Sequence, residues 1–257
     1  MRRAAAQRGG GGGGSADEKS PFGRLTAEEF YARHGVVNSS STFVNPRGLR
    51  IFTQRWVPAG GDAPLLGAIA VVHGFTGESS WTVQLTAVHF AKAGFAVAAV
   101  DHQGHGFSEG LQGHIPDIVP VLEDCEAAFA PFRADYPPPL PCFLYGESLG
   151  GAIALLLHLR DKERWRDGAV LNGAMCGVEL PLLVVHGGED TVCDPGCAEE
   201  LHRRAGSKDK TLRVYPGMWH QLVGEPEENV DKVFGDVLDW LKSHAAAAAA
   251  ARGEGQQ

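Results

Sequence analysis

The sequence predicts an α/β fold, a mostly parallel central sheet with helices on both faces. Two observations carry this. Short apolar runs bounded by glycine alternate along the chain with segments of helical spacing. Several runs, Leu65 to Val72 and Phe95 to Val100 among them, are apolar at nearly every position, as in strands buried on both faces. The 257 residues suit one such domain, and the 44% hydrophobic share can build its core.

The elements follow in order. Thr42 to Pro58 reads as two strands around a turn at Asn45-Pro46-Arg47-Gly48. Leu65 to Val72 is a buried strand that stops at His73-Gly74. Trp81 to Ala93 has helical spacing and ends at Gly94. Phe95 to Val100 is the next strand, and Pro116 to Phe132 the next helix. Cys142 to Tyr145 is a short strand running into Gly146, and Leu149 to Arg160 an apolar helix. Ala169 to Asn172 and Leu182 to Val185 are strands, Pro195 to Ala205 a helix, and Thr211 to Tyr215 a strand. Asn229 to His244 is a final amphipathic helix. Trp81, Trp165 and Trp240 sit on or beside helices and are expected to pack. The folded domain is expected over 21–244. Residues 1–20 are glycine-rich, with too little apolar surface to order themselves. Residues 245–257 are an alanine-rich tail that extends the last helix before fraying. Neither end is expected to be functional.

Charge and composition narrow the partners. A net charge of -8 lacks the basic footprint that nucleic acid requires, and it opposes simple docking on anionic lipid. Five sparse cysteines make no disulfide framework, and Cys193 and Cys197 have no zinc-like companions. Free thiols, no metal and no cofactor are therefore expected. No apolar run reaches the roughly 20 residues of a spanning helix. Arg2, Arg3 and Arg8 precede glycines rather than an apolar segment, which is unlike a secretory signal. The expected setting is cytoplasmic.

The chemistry centres on Gly146-Glu147-Ser148-Leu149-Gly150, which follows a strand and opens a helix. That is the context of a nucleophile elbow, whose tight turn demands small neighbours. A serine alcohol needs a base. His220, between the last strand and the last helix, is the candidate, and Asp190, just past a strand end, is the residue that would orient it. Asp194 is a nearby competitor. The order Ser148, Asp190, His220 is that of α/β-hydrolases. All three fall in loops that share one rim of a parallel sheet. The backbone N–H groups of Phe75, in His73-Gly74-Phe75, and of Leu149 would form the oxyanion hole. The side chains of His73, His102 and His105 are expected to support loops. Glu147 is open to two readings, a group that tunes polarity beside the nucleophile and a local structural bond.

His73-Gly74-Phe75, Asp101-His102-Gln103-Gly104-His105-Gly106, Gly146-Glu147-Ser148-Leu149-Gly150-Gly151 and the segment from Gly217 to Pro226 resemble the plant monoglyceride lipase and caffeoylshikimate esterase family of α/β-hydrolases. The resemblance runs from about Thr42 to His244. It implies hydrolysis of carboxylic esters, with monoacylglycerols, lysophospholipids or hydroxycinnamoyl esters as candidate substrates. It also implies peripheral contact with membranes and no obligate protein partner. The family inserts a helical cap after the sixth strand. Here Asn172-Gly173-Ala174-Met175-Cys176-Gly177-Val178 runs almost directly into Glu179-Leu180-Pro181-Leu182, so the cap is expected to be missing near 176–180. About six residues then return the chain. Extended, they reach roughly 20 Å, just the length of one strand. Part of one sheet face should stay uncovered, and apolar surface should be exposed near Phe75, Leu149 and Met175. Two functional readings follow: an active serine esterase or lipase, and a shortened form that keeps the motifs without a working pocket. A receptor on the same scaffold ranks third, because the triad is intact.

Overall fold

The computed structural model describes residues 20–60, 63–115, 117–172 and 180–254. The expected N-terminal disorder, up to residue 19, lies outside the described residues, as do Met175, Cys176 and the rest of 173–179 where the cap is expected to be missing.

Eight strands form one sheet: β1 Val36–Val44, β2 Arg50–Pro58, β3 Gly67–Val72, β4 Phe95–Val100, β5 Cys142–Glu147, β6 Ala169–Asn172, β7 Leu182–Gly187 and β8 Lys210–Tyr215. Their order is β1-β2-β4-β3-β5-β6-β7-β8. β2 pairs antiparallel with β1 and β4, and every other pairing is parallel. Among the described residues six α-helices flank it: α1 Ala27–His34, α2 Thr82–Lys92, α3 Ile118–Asp135, α4 Leu149–Arg160, α5 Pro195–Arg204 and α6 Glu227–Glu254. Alternation along each strand splits the core in two. Ala68, Ala70 and Val72 of β3 pack with residues of α3, α4 and α5, while Ile69 and Val71 pack with α1, α2 and α6. The chain passes from β3 to β4 on one side and then crosses back through α3 to β5 on the other side of β3. This is a switch point, where the carboxyl ends of the strands open a crevice.

The alternating elements appear where the apolar runs predict them, with two additions at the N-terminal end. α1 is eight residues long, and β1 begins at Val36 rather than Thr42. Thr26 and Glu29 form a reciprocal capping box, Gly35 closes α1 in the left-handed region, and Phe30 and Tyr31 are buried. β1 is an edge strand with most of its residues exposed, so Asn38 to Ser41 carry no apolar alternation.

Two expectations are corrected. β6 and β7 are buried at every residue, so the short connection does not bare their faces. α4 and α5 close over one face, and Trp165, Leu180, Ala198 and Leu201 fill the space against Leu182 and Val184. Trp165 and Trp240 are buried as expected, but Trp81 is 41% exposed. α2 starts one residue later, leaving Trp81 at its N-cap and off the buried face.

The last helix runs unbroken through His244, and Ala245 is buried in the core. Arg252 reaches back to the carboxylate of Asp167 and the carbonyl of Pro139. The other oxygen of Asp167 accepts the N–H of Cys142 at 2.8 Å, at the start of β5. The alanine run thus places a cation on a buried acid. Arg252→Ala should cost about 1–3 kcal/mol, the usual penalty for stranding a buried charged partner. Urea unfolding reads this as a lower midpoint at unchanged slope, and an unmoved midpoint would show that the clamp carries no stability. Among the described residues no helix is long and apolar enough to cross a membrane.

Candidate active site

Ser148 stands between β5 and α4 with φ 53° and ψ -120°, a backbone conformation that L-residues avoid. Packing holds it there. A Cβ on Gly146 would stand 2.4 Å from the carbonyl oxygen of Gly150, and a Cβ on Gly150 would stand 2.1 Å from that of Val72. Both positions therefore exclude a side chain, and β3, β5 and α4 can converge under the serine. The Ser148 N–H donates to Asn172 O at 2.7 Å, which ties the elbow to the end of β6.

The loop after β3 lies beside it. Thr76 takes φ 62°, and the Gly77 N–H closes the turn on Gly74 O at 3.0 Å. His73 holds this turn from beneath. Its Nε2 accepts the backbone N–H of His102 at 3.0 Å, so its Nδ1 carries the proton and donates to Gly74 O at 2.7 Å. His102 Nε2 donates back to His73 O at 3.2 Å, and His105 Nδ1 donates to Gln103 O at 3.0 Å. The three histidines are thus committed to loop backbone, as the sequence suggests. The N–H groups of Phe75 and Leu149 donate to no other group among the described residues. Both remain available to an oxyanion.

Two further loops bring the base and the acid together. The Gly188 N–H donates to Tyr215 O at 2.7 Å and the Glu189 N–H to Met218 O at 2.9 Å, lacing the loop after β7 to the one after β8. His220 Nδ1 lies 2.7 Å from Asp190 Oδ2. Asp190 Oδ1 accepts the N–H groups of Val192 at 2.8 Å and Cys193 at 2.9 Å. Burial raises the Asp190 carboxyl, but the Cys193 N–H, His220 and the Val192 N–H together outweigh it, and the net shift is downward. Asp194 is not the partner: its Oδ1 accepts the Gly196 N–H at 2.8 Å and caps α5. Ser148 and His220 line one cavity of about 340 Å³ with Phe75, Glu147, Asn172 and Val192. The expected chain of hydrogen bonds is closed from Asp190 to His220, and no bond joins Ser148 Oγ to the ring among the described residues. Catalytic hydrogen bonds are commonly long until substrate arrives.

Sequence reasoning missed His186. It is buried, with Nε2 2.9 Å from Cys193 O, which fixes the loop that carries the acid, and 3.1 Å from Asp190 Oδ2, the oxygen that also faces His220. A histidine four residues before a candidate acid at a strand end is the signal that could have found it. Glu147 follows its structural reading in part, since its Oε1 accepts the Tyr145 hydroxyl at 3.1 Å. Burial raises its carboxyl to about 7, against the pull of Tyr145 and His220. The rim is apolar and open as expected: Phe75 is 54% exposed, and Val192 and Trp219 are exposed too, while Leu149 is half-buried.

The sequence profile of the family described as Serine aminopeptidase, S33 matches residues 63–180 and 177–227. The chain belongs to this family. The two matched stretches meet at 177–180, where the cap is expected to be missing. The chain is similar to caffeoylshikimate esterase of Arabidopsis thaliana, 28% identical over 86% of this chain and 90% of that protein. Human monoglyceride lipase is 28% identical over 81% of this chain and 92% of its own length. The Arabidopsis alignment runs over 301 positions against about 221 residues of this chain, so roughly 80 positions face no residue here. Among solved structures, a soluble variant of monoglyceride lipase from Saccharomyces cerevisiae, in complex with a substrate analog, shares the fold. Its TM-score is 0.69 at 19% identity, over 79% of this chain and 94% of that one.

The loop under the site should respond to acid. His73 and His102 are buried and neutral, and burial lowers both, His102 to about 4 from an ordinary 6.5. The unfolded chain then binds more protons than the native one between those values, so stability falls as pH drops from about 6.5 toward 4. Thermal midpoints measured across that window should decline toward acid. Midpoints that stay level from pH 6.5 to 4 would contradict the buried neutral pair.

Proposed function

We propose that the protein cleaves carboxylic esters through an acyl-enzyme on Ser148, with small soluble esters and monoacylglycerol-like esters as its substrates. Family and relatives make it a carboxylic ester hydrolase. The observation that carries the mechanism is the 2.7 Å bond between Asp190 and His220 on the rim that holds Ser148. Asp190 keeps the proton on His220 Nδ1 and leaves Nε2 free to take the Ser148 proton as Oγ attacks the carbonyl carbon. The N–H groups of Phe75 and Leu149 meet the negative charge that develops on the carbonyl oxygen. The alcohol leaves with the proton from His220, and a water activated by the same ring releases the acid.

The open rim bears on chain length. A long acyl chain needs a concave apolar site that buries most of it. Around Ser148 the apolar residues Phe75 and Val192 stand exposed rather than roofed. This favours short acyl groups, and it is also what a shortened form with an impaired pocket would look like.

A fluorophosphonate probe separates these readings, because labelling requires an activated serine. The active reading expects labelling that Ser148→Ala abolishes, together with at least about a thousandfold loss of acetate hydrolysis. Equal acetate turnover by the alanine variant would remove Ser148 from the mechanism, and a parent chain that takes no label is the impaired form. In a second comparison, acetate should be turned over well and long-chain monoacylglycerol poorly, and a family cap inserted after Val178 should restore the latter. Equal long-chain rates with and without the cap would end the argument from the open rim.

A further inference from the structure

The catalytic cavity contains an acid that ester hydrolysis does not use. Glu147 lines it beside Ser148 and His220. Its Oε1 accepts the Tyr145 hydroxyl, and its Oε2 accepts from no group among the described residues. Behind it, the Asn172 side-chain N–H₂ lies 3.5 Å from the Tyr145 oxygen, and Asn172 Oδ1 is buried without a partner. Asn172 is 5% exposed and lines the same cavity. Among the described residues no lysine or arginine lines it. The polar wall beside the nucleophile therefore offers acceptors and an acid, and no permanent cation.

Such a wall discriminates by chemistry. A hydroxyl on the substrate can donate to the free oxygen of Glu147, and a group that meets a buried acceptor gains more than one that leaves it unpaired. A carboxylate on the substrate finds no cation and lies against a second acid. Resting on the ester-hydrolase reading, we propose that Glu147, held by Tyr145 and backed by Asn172, is a specificity subsite. It selects uncharged esters bearing a free hydroxyl and rejects esters bearing a carboxylate. The rejection has a direction in pH. Burial holds Glu147 near neutrality, at about 7, so it is mostly a hydrogen-bonding acid below that pH and a repelling anion above it. The groups facing it are Tyr145 from β5, Asn172 from β6 and His220 from the loop after β8. Of these, His220 is the base of the ester mechanism. His220 is present in the parent and in Glu147→Gln alike, so comparing the two isolates Glu147.

The test uses three acetates of similar size: 2-hydroxyethyl acetate, propyl acetate and acetoxyacetate, which carries a carboxylate. For the full chain and its variants, kcat/KM and protection of Ser148 from a fluorophosphonate are measured at pH 6 and pH 8. The parent should prefer hydroxyethyl to propyl acetate. Its preference for hydroxyethyl acetate over acetoxyacetate should grow about tenfold from pH 6 to pH 8. Glu147→Gln keeps size and hydrogen bonding but removes the charge, so it should keep the first preference and abolish the pH-dependence of the second. Glu147→Leu should lose both. Tyr145→Phe, which leaves the carboxyl intact, should move the pH at which acetoxyacetate is rejected upward. Ratios in Glu147→Gln equal to the parent's at both pH values would overturn the subsite while leaving ester hydrolysis standing. A parent that neither turns over any acetate nor takes the label defeats the ester reading itself, and the subsite with it.

Discussion

The parallel pairing of Ala169–Asn172 with Leu182–Val185 decides whether this chain has an active site. Ser148 follows β5, and its N–H is anchored on the carbonyl of Asn172, at the carboxyl end of β6. β7 must run the same way as β6 for Asp190 to emerge on that rim, and the register Ala169↔Leu182 through Asn172↔Val185 delivers it there. An antiparallel β7 would carry Asp190 to the far edge of the sheet, with nothing to replace it beside His220. Trp165 and Leu180 fill the core against β6 and β7, and the strands remain covered.

The rest of the site is built by crowding and by buried polar groups that are mostly matched. Gly146 and Gly150 allow three backbone segments to meet under a serine in an unfavourable conformation. The cost, of order 1–3 kcal/mol, is offset by a core that over-determines the turn. His73 and His102 take each other's backbone and shape the loop that presents Phe75. Asp190 is held by two N–H groups and by His220, with His186 beside it, so its direction is fixed. Glu147 keeps an oxygen open to the cavity, beside the unpartnered Oδ1 of Asn172, and this open oxygen is what the proposed recognition of substrate uses.

Much of this was legible in the sequence because its signals are local. Two-sided burial writes β3, β4 and β7 as continuous apolar runs, and the elbow needs glycine at fixed offsets around Ser148. The chain order of Ser148, Asp190 and His220 follows from the topology once the sheet is parallel. The sequence puts Asp190 ahead of its neighbour Asp194, and in the structure Asp190 lies 2.7 Å from His220 while Asp194 caps α5. Other features left no such trace. β1 is an exposed edge, so its polar residues carry no alternation, and α1 is too short for periodicity and shows only its capping box. Trp165 covers the sheet from a turn, His186 ties the loop of Asp190 at Cys193 from within a strand, and Arg252 clamps Asp167 from 85 positions away. These are contacts between distant segments, which spacing does not encode.

The central claim is that the shortened connection still delivers Asp190, and not Asp194, to the base that activates Ser148. The rate of fluorophosphonate labelling of Ser148 measures it directly in the parent, in Asp190→Asn and in Asp194→Asn. The account predicts labelling slowed by about three to four orders of magnitude in Asp190→Asn, the cost of holding the wrong imidazole tautomer, and little changed in Asp194→Asn. Labelling that survives Asp190→Asn, or that is lost instead in a folded Asp194→Asn, would contradict it.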